Sequence, residues 1–366
     1  MKDIISKFDI GAEVVNYKTF GSGHINDTYL IEAHHQIEGV KRYLLQRINH
    51  HVFRNVEGLM QNMHVVTTHL AEKLSQEDTQ FTTVHLIPST EGKLFYEDNR
   101  GNFWRVQSFV PNSISYDLVK TEGQAHEAGY AFGKFQNLIE DIDVERVCET
   151  IPDFHNMAFR FKNFENAIAS DPVGRRPSVN KEINFAEQRK VAMLALYQQV
   201  AQQKVPIRIT HNDTKFNNVL LDQHSQKAIC VIDLDTVMPG VVWYDFGDAV
   251  RTIISTSEED EPVLDKIDIQ LSLYEAFTAA YLEQTAPILT PLEVSRLSYA
   301  AQYMTFIMGL RFLTDYISGD VYYKIKHPEH NLERARSQFR LVQKMEDKHE
   351  EMQHIVDKLY HQALAK

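Results

Sequence analysis

Cysteine is nearly absent: Cys148 and Cys230 are the only two in 366 residues. A disulfide framework and the Cys/His spacing of a zinc site are therefore both excluded. Cys230 lies inside an apolar run, where a thiol acts as a small hydrophobe. Positive charge is also short, with 38 Lys and Arg against 50 Asp and Glu for a net charge of −12. Nucleic acid and anionic membrane surfaces demand a basic footprint, so neither is expected as a partner, whereas a small molecule is. No run approaches the roughly 18 apolar residues of a membrane span. Met1-Lys2-Asp3-Ile4-Ile5-Ser6-Lys7-Phe8 lacks the apolar segment of a signal peptide. A cytoplasmic protein, monomeric or weakly oligomeric, is the expectation. Repeats and low-complexity tracts are missing too. What remains, 43% hydrophobic and 24% charged residues, is the composition of a globular protein long enough for two lobes.

The apolar pattern divides the chain. Val14-Val15-Asn16-Tyr17, Thr28-Tyr29-Leu30-Ile31, Tyr43-Leu44-Leu45-Gln46 and Phe103-Trp104-Arg105-Val106 read as short strands. Between the third and fourth, Leu59, Met63, Val66 and Leu70 stand at helical spacing, which predicts a helix over 56–76. From about Thr121 long helices take over, expected at 125–139, 183–203, 266–284 and 291–318. Thr290-Pro291-Leu292-Glu293 is a capping box with proline at the first helical position, and Gly319 closes that helix. A last helix is expected over 331–365. Its stripe of Leu332, Ala335, Phe339, Val342, Met345, Met352, Val356 and Leu359 should pack on the other helices.

Chemistry concentrates in His211-Asn212-Asp213-Thr214-Lys215-Phe216-Asn217-Asn218, and Asp233-Leu234-Asp235 follows fifteen residues after Asn218. The β-branched run Val205-Pro206-Ile207-Arg208-Ile209-Thr210 feeds the first cluster and Val219-Leu220-Leu221 leaves it, while Ala228-Ile229-Cys230-Val231-Ile232 delivers Asp233 at a strand end. Polar groups so placed sit on loops and can face a ligand instead of the core. An Asp, an Asn five positions on and a later Asp are how a kinase-type site supplies a base and two magnesium ligands around a nucleotide's phosphates. Asp213 is the expected base. Asn218 and Asp233 are the expected ligands of Mg²⁺, a hard cation that takes only one or two carboxylates from a protein. Either motif alone reads equally well as an ordinary Asx turn. Their joint occurrence, in order and each after an apolar run, points to a phosphotransferase.

These residues resemble the aminoglycoside phosphotransferase and choline kinase superfamily, and within it the bacterial N-acetylhexosamine 1-kinases. The narrower likeness is carried by Gly21-Ser22-Gly23-His24-Ile25-Asn26, Tyr43-Leu44-Leu45-Gln46, His211 to Asn218, Asp233-Leu234-Asp235-Thr236 with Met238-Pro239-Gly240, and Asp245-Phe246-Gly247-Asp248. It continues through Arg311-Phe312-Leu313, Gly319-Asp320-Val321-Tyr322 and Pro328-Glu329-His330-Asn331-Leu332. The resemblance implies an α+β, two-lobed, protein-kinase-like fold. Residues 1–109 would be a small β-rich nucleotide-binding N-lobe, 110–120 a hinge, and 121–366 a larger, mainly helical C-lobe. It implies transfer of the ATP γ-phosphoryl group to the anomeric hydroxyl of an N-acetylhexosamine, with ATP and Mg²⁺ as cofactors. His24, Arg311 and Tyr322 match positions that contact the sugar; Gly21, Gly23, Gln46 and Phe109 make the nucleotide-binding set, with free backbone groups of Val110-Pro111-Asn112-Ser113 available to adenine.

The chain departs from the family in two places. Gly21-Ser22-Gly23 is shorter than a full G-x-G-x-x-G and reads as either a phosphate cradle or a tight turn. The strand expected to carry the phosphate-binding lysine reads Leu44-Leu45-Gln46-Arg47, with Gln46 in the lysine's place and Arg47 on the other strand face. An amide can bond a phosphate but not neutralise it. Lys215, two residues after the base, is expected to take over part of that charge. Asp235 either braces its loop or serves a second ion. Other readings stand beside several of these: His24 as a solvent-exposed loop residue, Arg311 in a structural salt bridge with Asp315 or Asp320, Tyr322 as a core aromatic beside Tyr323. Choline, homoserine, a thiosugar or an aminoglycoside is the alternative acceptor, and a nucleotide-binding pseudokinase the alternative class.

Overall fold

The computed structural model describes residues 1–21, 25–37 and 39–365. It begins α1 (Lys2–Ile5), β1 (Glu13–Thr19), β2 (Asp27–His35), β3 (Gly39–Ile48) and α2 (Val56–Leu74). Then come β4 (Leu86–Ile87), β5 (Tyr96–Glu97), β6 (Phe103–Ser108), β7 (Ser113–Ile114), α3 (Glu122–Leu138), α4 (Met157–Ser170) and α5 (Asn180–Ala201). Next are β8 (Arg208–Thr210), β9 (Val219–Asp222) and β10 (Ala228–Val231), followed by α6 (Val242–Ile253) and α7 (Leu271–Thr285). Last are α8 (Pro291–Val294), α9 (Leu297–Ser318), α10 (His330–Asp347) and α11 (His349–Leu364).

Two compact units result. The first comprises Met1–Ser115, Leu138–Pro152 and Val219–Pro239, and the second Tyr116–Asn137, Asp153–Asn218 and Gly240–Lys366. The first unit is built on an antiparallel sheet in the order β1-β2-β3-β6-β4, with β5 pairing β6. One face of this sheet closes on Ile5 and Phe8 through Ile31, Ala33, Tyr43, Leu45, Trp104 and Val106. Strand alternation then sends Gln46 and Arg105, cross-strand partners in β3 and β6, to the other face. There lies α2, whose start is fixed by Asn55 accepting the Gly58 N–H at 2.9 Å and whose Leu59, Met63, Val66 and Leu70 are buried. A second small sheet, β10-β9-β7, completes this unit. Burial pushes the Cys230 thiol on β10 up to about 12, so it behaves as the inert hydrophobe its run implied.

The second unit is helical, and its centre is α6, in which every residue but Thr252 is buried. The expected helices leave it out, although Asp245, Asp248 and Arg251 recur at helical spacing among its apolar residues. Helix α4 was also unanticipated, although Met157, Phe161, Phe164 and Ala167 form a buried stripe at helical spacing. Three helix bounds differ from expectation. The span 291–318 is two helices, because the capping box closes one turn, with Glu293 held by Thr290 and Arg208, and Arg296 then leaves helical geometry at φ −120° and ψ 3°. The terminal span 331–365 breaks at Lys348, at φ −111° and ψ 12°, so one apolar stripe serves two helices. Residues 266–270, expected helical, instead run through a bridge between Ile269 and Ser255 before α7 starts at Leu271. Among the described residues no helix is long and apolar enough to cross a membrane.

Helices α6 and α9 approach so closely that a Cβ on Gly247 would lie 2.3 Å from the Ala300 carbonyl oxygen. Gly247→Ala therefore has to push two backbones apart. A loss of about 1–3 kcal/mol is expected in denaturant unfolding, whereas the same change at the open position Gly123 should cost less than about 1 kcal/mol.

Candidate active site

In the second unit, β8 ends at Thr210 and the chain turns sharply, with Asn212 in the left-handed region at φ 64°. The turn is held by one buried carboxylate. Asp245 of α6 accepts the His211 N–H at 2.8 Å and the Asn212 N–H at 2.7 Å, and its carbonyl accepts the Thr214 hydroxyl at 2.6 Å. Burial raises Asp245 to about 6 against the lowering effect of His211 and those two N–H groups. His211 is itself fully buried, met edge-on by Phe132 and Phe135 of α3. Gly240 is needed here for space, since a Cβ would stand 2.2 Å from Thr210 Oγ1.

On that support sit three of the expected residues. Asp213 Oδ1 lies 2.8 Å from Lys215 Nζ, and Oδ2 accepts from Asn218 Nδ2 at 3.1 Å. Asn218 also donates to the Asp213 carbonyl at 2.8 Å. Burial works to raise the Asp213 pKa, but the Lys215 ammonium outweighs it and, with His211 and Asn218, holds the carboxylate below its usual range. Asp213, with Asp248 and Glu259 adding to it, keeps Lys215 firmly protonated in spite of burial. Asp213 is thus ionised and able to accept a proton. With its amide nitrogen spent on Asp213, Asn218 keeps its side-chain oxygen for another partner, and a hard cation is a chemically apt one.

The other expected ligand belongs to the first unit. Asp233 lies two residues past the end of β10, is exposed, and adopts a left-handed conformation at φ 61° and ψ 55°. Asp235 is buried, bonded to Arg105 and Asn26. Of its two expected roles, bracing the loop is what these bonds perform. Gln46 accepts from Arg105 and donates to Thr28 at 3.1 Å. Phe109 meets Phe20 edge to face at 5.9 Å. Two hinge carbonyls are already taken, Val110 by the Ser113 hydroxyl and Asn112 by the Gln223 N–H. Gly21 turns at φ 76° with open space about it, whereas Gly23 and His24 lie outside the described residues. Among the described residues no cluster of three His, Cys, Asp or Glu could hold a metal ion, so a site here has to draw on Asn218-type oxygen donors.

Arg311 and Tyr322 come together in the second unit, on a cavity of about 370 Å³ lined also by Arg160, Asn163, Asn166 and Thr314. The salt bridge weighed for Arg311 does not form. Asp315 accepts the Tyr322 and Tyr323 N–H groups at 2.8 and 2.9 Å, and Asp320 pairs with Arg175. Arg311 lies instead over the rings of Phe154, Tyr322 and Tyr323, at 5.2, 5.8 and 5.6 Å. Tyr322 is 60% exposed, which rules out the core-aromatic reading. Arg160, which the motifs did not flag, donates to the Phe154 carbonyl at 2.7 Å and leaves a buried Nε without a partner. Burial and the nearby Arg311 push it down to about 10. The adjoining His155 bonds the Asn212 carbonyl at 3.3 Å, so one dipeptide, Phe154-His155, links the ring under Arg311 to the turn ahead of Asp213. No motif marked Arg160, His155 or Asp315; only the fold brings them here.

A model of the phosphotransferase enzyme family matches residues 16–284. Among solved structures, an aminoglycoside phosphotransferase from Alicyclobacillus acidocaldarius aligns over 100% of this chain and 97% of its own, at TM-score 0.55 and 12% identity. A choline kinase from Cryptosporidium parvum aligns over 94% and 93%, at 0.56 and 12%. A microcompartment-associated aminopropanol kinase aligns over 96% and 97%, at 0.59 and 15%. At these identities the likeness is one of fold, and it establishes the kinase-like α+β architecture expected from the sequence.

Burial, then the Arg311 charge, lowers the buried His155 to about 3, so it stays neutral in the folded protein where an unfolded chain would take a proton. Unfolding therefore binds a proton between about pH 6.5 and pH 3, and stability falls with pH through that window. His155→Gln should remove this contribution. Measured by urea unfolding, the variant is expected to gain on the wild type by up to about 1.4 kcal/mol per unit as pH drops below about 6. Parallel curves would show that His155 is not what the acid limb titrates.

Proposed function

The chain belongs to the phosphotransferase enzyme family, and from that premise we propose that it transfers the γ-phosphoryl group of ATP to the anomeric hydroxyl of an N-acetylhexosamine, GlcNAc or GalNAc, giving the sugar 1-phosphate. The observation that carries the proposal is the state of Asp213: an ionised carboxylate fixed by Lys215 and Asn218 on a turn that Asp245 anchors. Such a group takes the proton of an attacking hydroxyl as the O–P bond forms. A strong base is not required, because the transition state of phosphoryl transfer is loose and most of the acceleration comes from positioning and charge.

The acceptor class follows from the cavity. Two guanidiniums, Arg160 and Arg311, line it beside Asp315, whose carboxylate is taken up by the Tyr322 and Tyr323 N–H groups, and Asn163, Asn166 and Thr314 add hydrogen-bonding groups. That set suits a neutral, oxygen-rich molecule whose hydroxyl and acyl oxygens accept hydrogen bonds, and it disfavours cationic acceptors of the choline or aminopropanol kind. In this reading Arg311 and Tyr322 contact the sugar, with His24 as a further contact. Gly21, Gly23, Gln46 and Phe109 belong to the nucleotide side of the N-lobe. Asn218 and Asp233 would each supply an oxygen to Mg²⁺, which would neutralise phosphate oxygens. Lys215 adds a fixed positive charge beside the base.

Two outcomes are expected. Asp213→Asn should lower turnover by about 10²- to 10⁴-fold while nucleotide affinity, followed by calorimetry, changes little. With ATP and Mg²⁺, a panel of acceptors should show phosphorylation of GlcNAc or GalNAc and none of choline. Turnover of choline or an aminoglycoside with none of either sugar would sink the acceptor assignment while leaving the phosphotransferase intact.

A further inference from the structure

Where strand β3 offers Gln46 in place of a lysine, the cationic charge is present one strand away. Arg105, the cross-strand partner of Gln46 in β6, is 1% exposed. Gln46 Oε1 accepts from Arg105 Nε at 2.9 Å and Nη2 at 2.7 Å. A single carbonyl oxygen thus takes both N–H groups along one edge of the fork, and the guanidinium loses its freedom to turn. Gln46 is held in that pose by its own bond to Thr28 Oγ1. The remaining nitrogen, Nη1, donates to Met63 Sδ at 3.0 Å and is ion-paired with Asp235 Oδ1 at 2.5 Å. The other oxygen of Asp235 accepts from Asn26 Nδ2 at 2.6 Å, and Asn26 Oδ1 receives the Asn49 N–H at 2.9 Å.

Asp235 lies two residues beyond Asp233, in the single turn Leu234–Thr236. The left-handed backbone of Asp233 is a conformation that persists only when its surroundings fix it. They do so from two directions. Asp235 is tied to Arg105, and Asn62 of α2 donates to the Val237 carbonyl at 2.9 Å. Those two ties fix the backbone of the turn that follows Asp233. A lysine at position 46 could not do the same work, because an ammonium is a single charge without a fork to set an angle.

We propose that Arg105, clamped by Gln46, is a positioning residue for the divalent cation: through Asp235 it sets the turn that presents Asp233. The proposal rests on the reading of Asp233 as a metal ligand, but not on the identity of the acceptor.

The test is Mg²⁺-dependent binding of ADP by calorimetry, with thermal unfolding in parallel. No acceptor takes part, so a wrong sugar assignment leaves the result unaffected. The double variant Arg105→Met/Asp235→Leu replaces a buried ion pair with apolar groups of similar size, an exchange that proteins commonly survive. It is expected to melt near the wild type and to bind metal-free ADP equally well, yet to bind Mg²⁺ in the presence of ADP at least about tenfold more weakly. Arg105→Lys keeps the charge and loses the clamp, and the same selective weakening of Mg²⁺ is expected from it. This second variant decides the matter if the first does not fold. Wild-type Mg²⁺ affinity in a folded variant overturns the proposal. Equal losses of metal-dependent and metal-free ADP binding also overturn it, since they would place Arg105 in general support of the nucleotide site.

Discussion

A carboxylate taken out of water has to be met by donors, and this chain uses two such carboxylates as fixed points for the residues that carry its chemistry. Asp245 accepts the N–H groups of His211 and Asn212 and so fixes the turn ahead of Asp213. Asp235 is met by Arg105 and Asn26 and so fixes the turn after Asp233. Each turn contains a non-glycine residue in the left-handed region, Asn212 in one and Asp233 in the other, at a cost of order 1 kcal/mol apiece. Asn and Asp tolerate that region better than most side chains, but they do not choose it unaided. The buried acceptors make it the lower-energy path, because releasing either turn would leave a desolvated carboxylate short of partners.

The same division between local and distant causes explains what the sequence discloses. Strands β1, β2, β3 and β6 and helix α2 are legible because their residues alternate or repeat at a period that local geometry imposes. Helix α6 carries a period as well, with Asp245, Asp248 and Arg251 at helical spacing, but that polar stripe is buried against partners such as His211 that only the fold supplies. The break between α8 and α9 depends on Glu293 reaching back to Arg208, 85 residues away. At the site, Asp213, Asn218 and Asp233 stand out because spacing and chemistry mark them. Arg105 does not, because nothing in Phe103-Trp104-Arg105-Val106 says that its neighbour across the sheet is Gln46. Only strand register supplies that fact.

The cavity that bears Arg311 and Tyr322 shows how a charged side chain can be kept available. Asp315 stands one turn along α9 from Arg311 and would be its natural partner. It is occupied instead by the Tyr322 and Tyr323 N–H groups and by Asn331 Nδ2. The carboxylate therefore shapes the loop carrying Tyr322 and leaves the guanidinium to the aromatic rings beneath it. Arg160 is in a comparable position, since its bond to the Phe154 carbonyl satisfies one N–H group without neutralising the charge. Two like charges share one small cavity, where burial and then the nearby Arg311 weaken the hold of Arg160 on its proton.

The absence of the strand lysine is then less a loss than a change in how charge is used. A lysine ammonium is mobile and strongly hydrated, and its contribution to a phosphate site depends on where it happens to rest. Arg105 is buried and held at both edges of its fork, so its charge is committed to Asp235 and cannot migrate to a phosphate. Direct neutralisation has to come from elsewhere, and the second unit keeps Lys215 protonated beside Asp213. On the proposed reading, orientation falls to Arg105 and neutralisation to Lys215, two functions that one lysine combines in many kinases. Loss of one function without the other is a possibility that a single lysine does not allow.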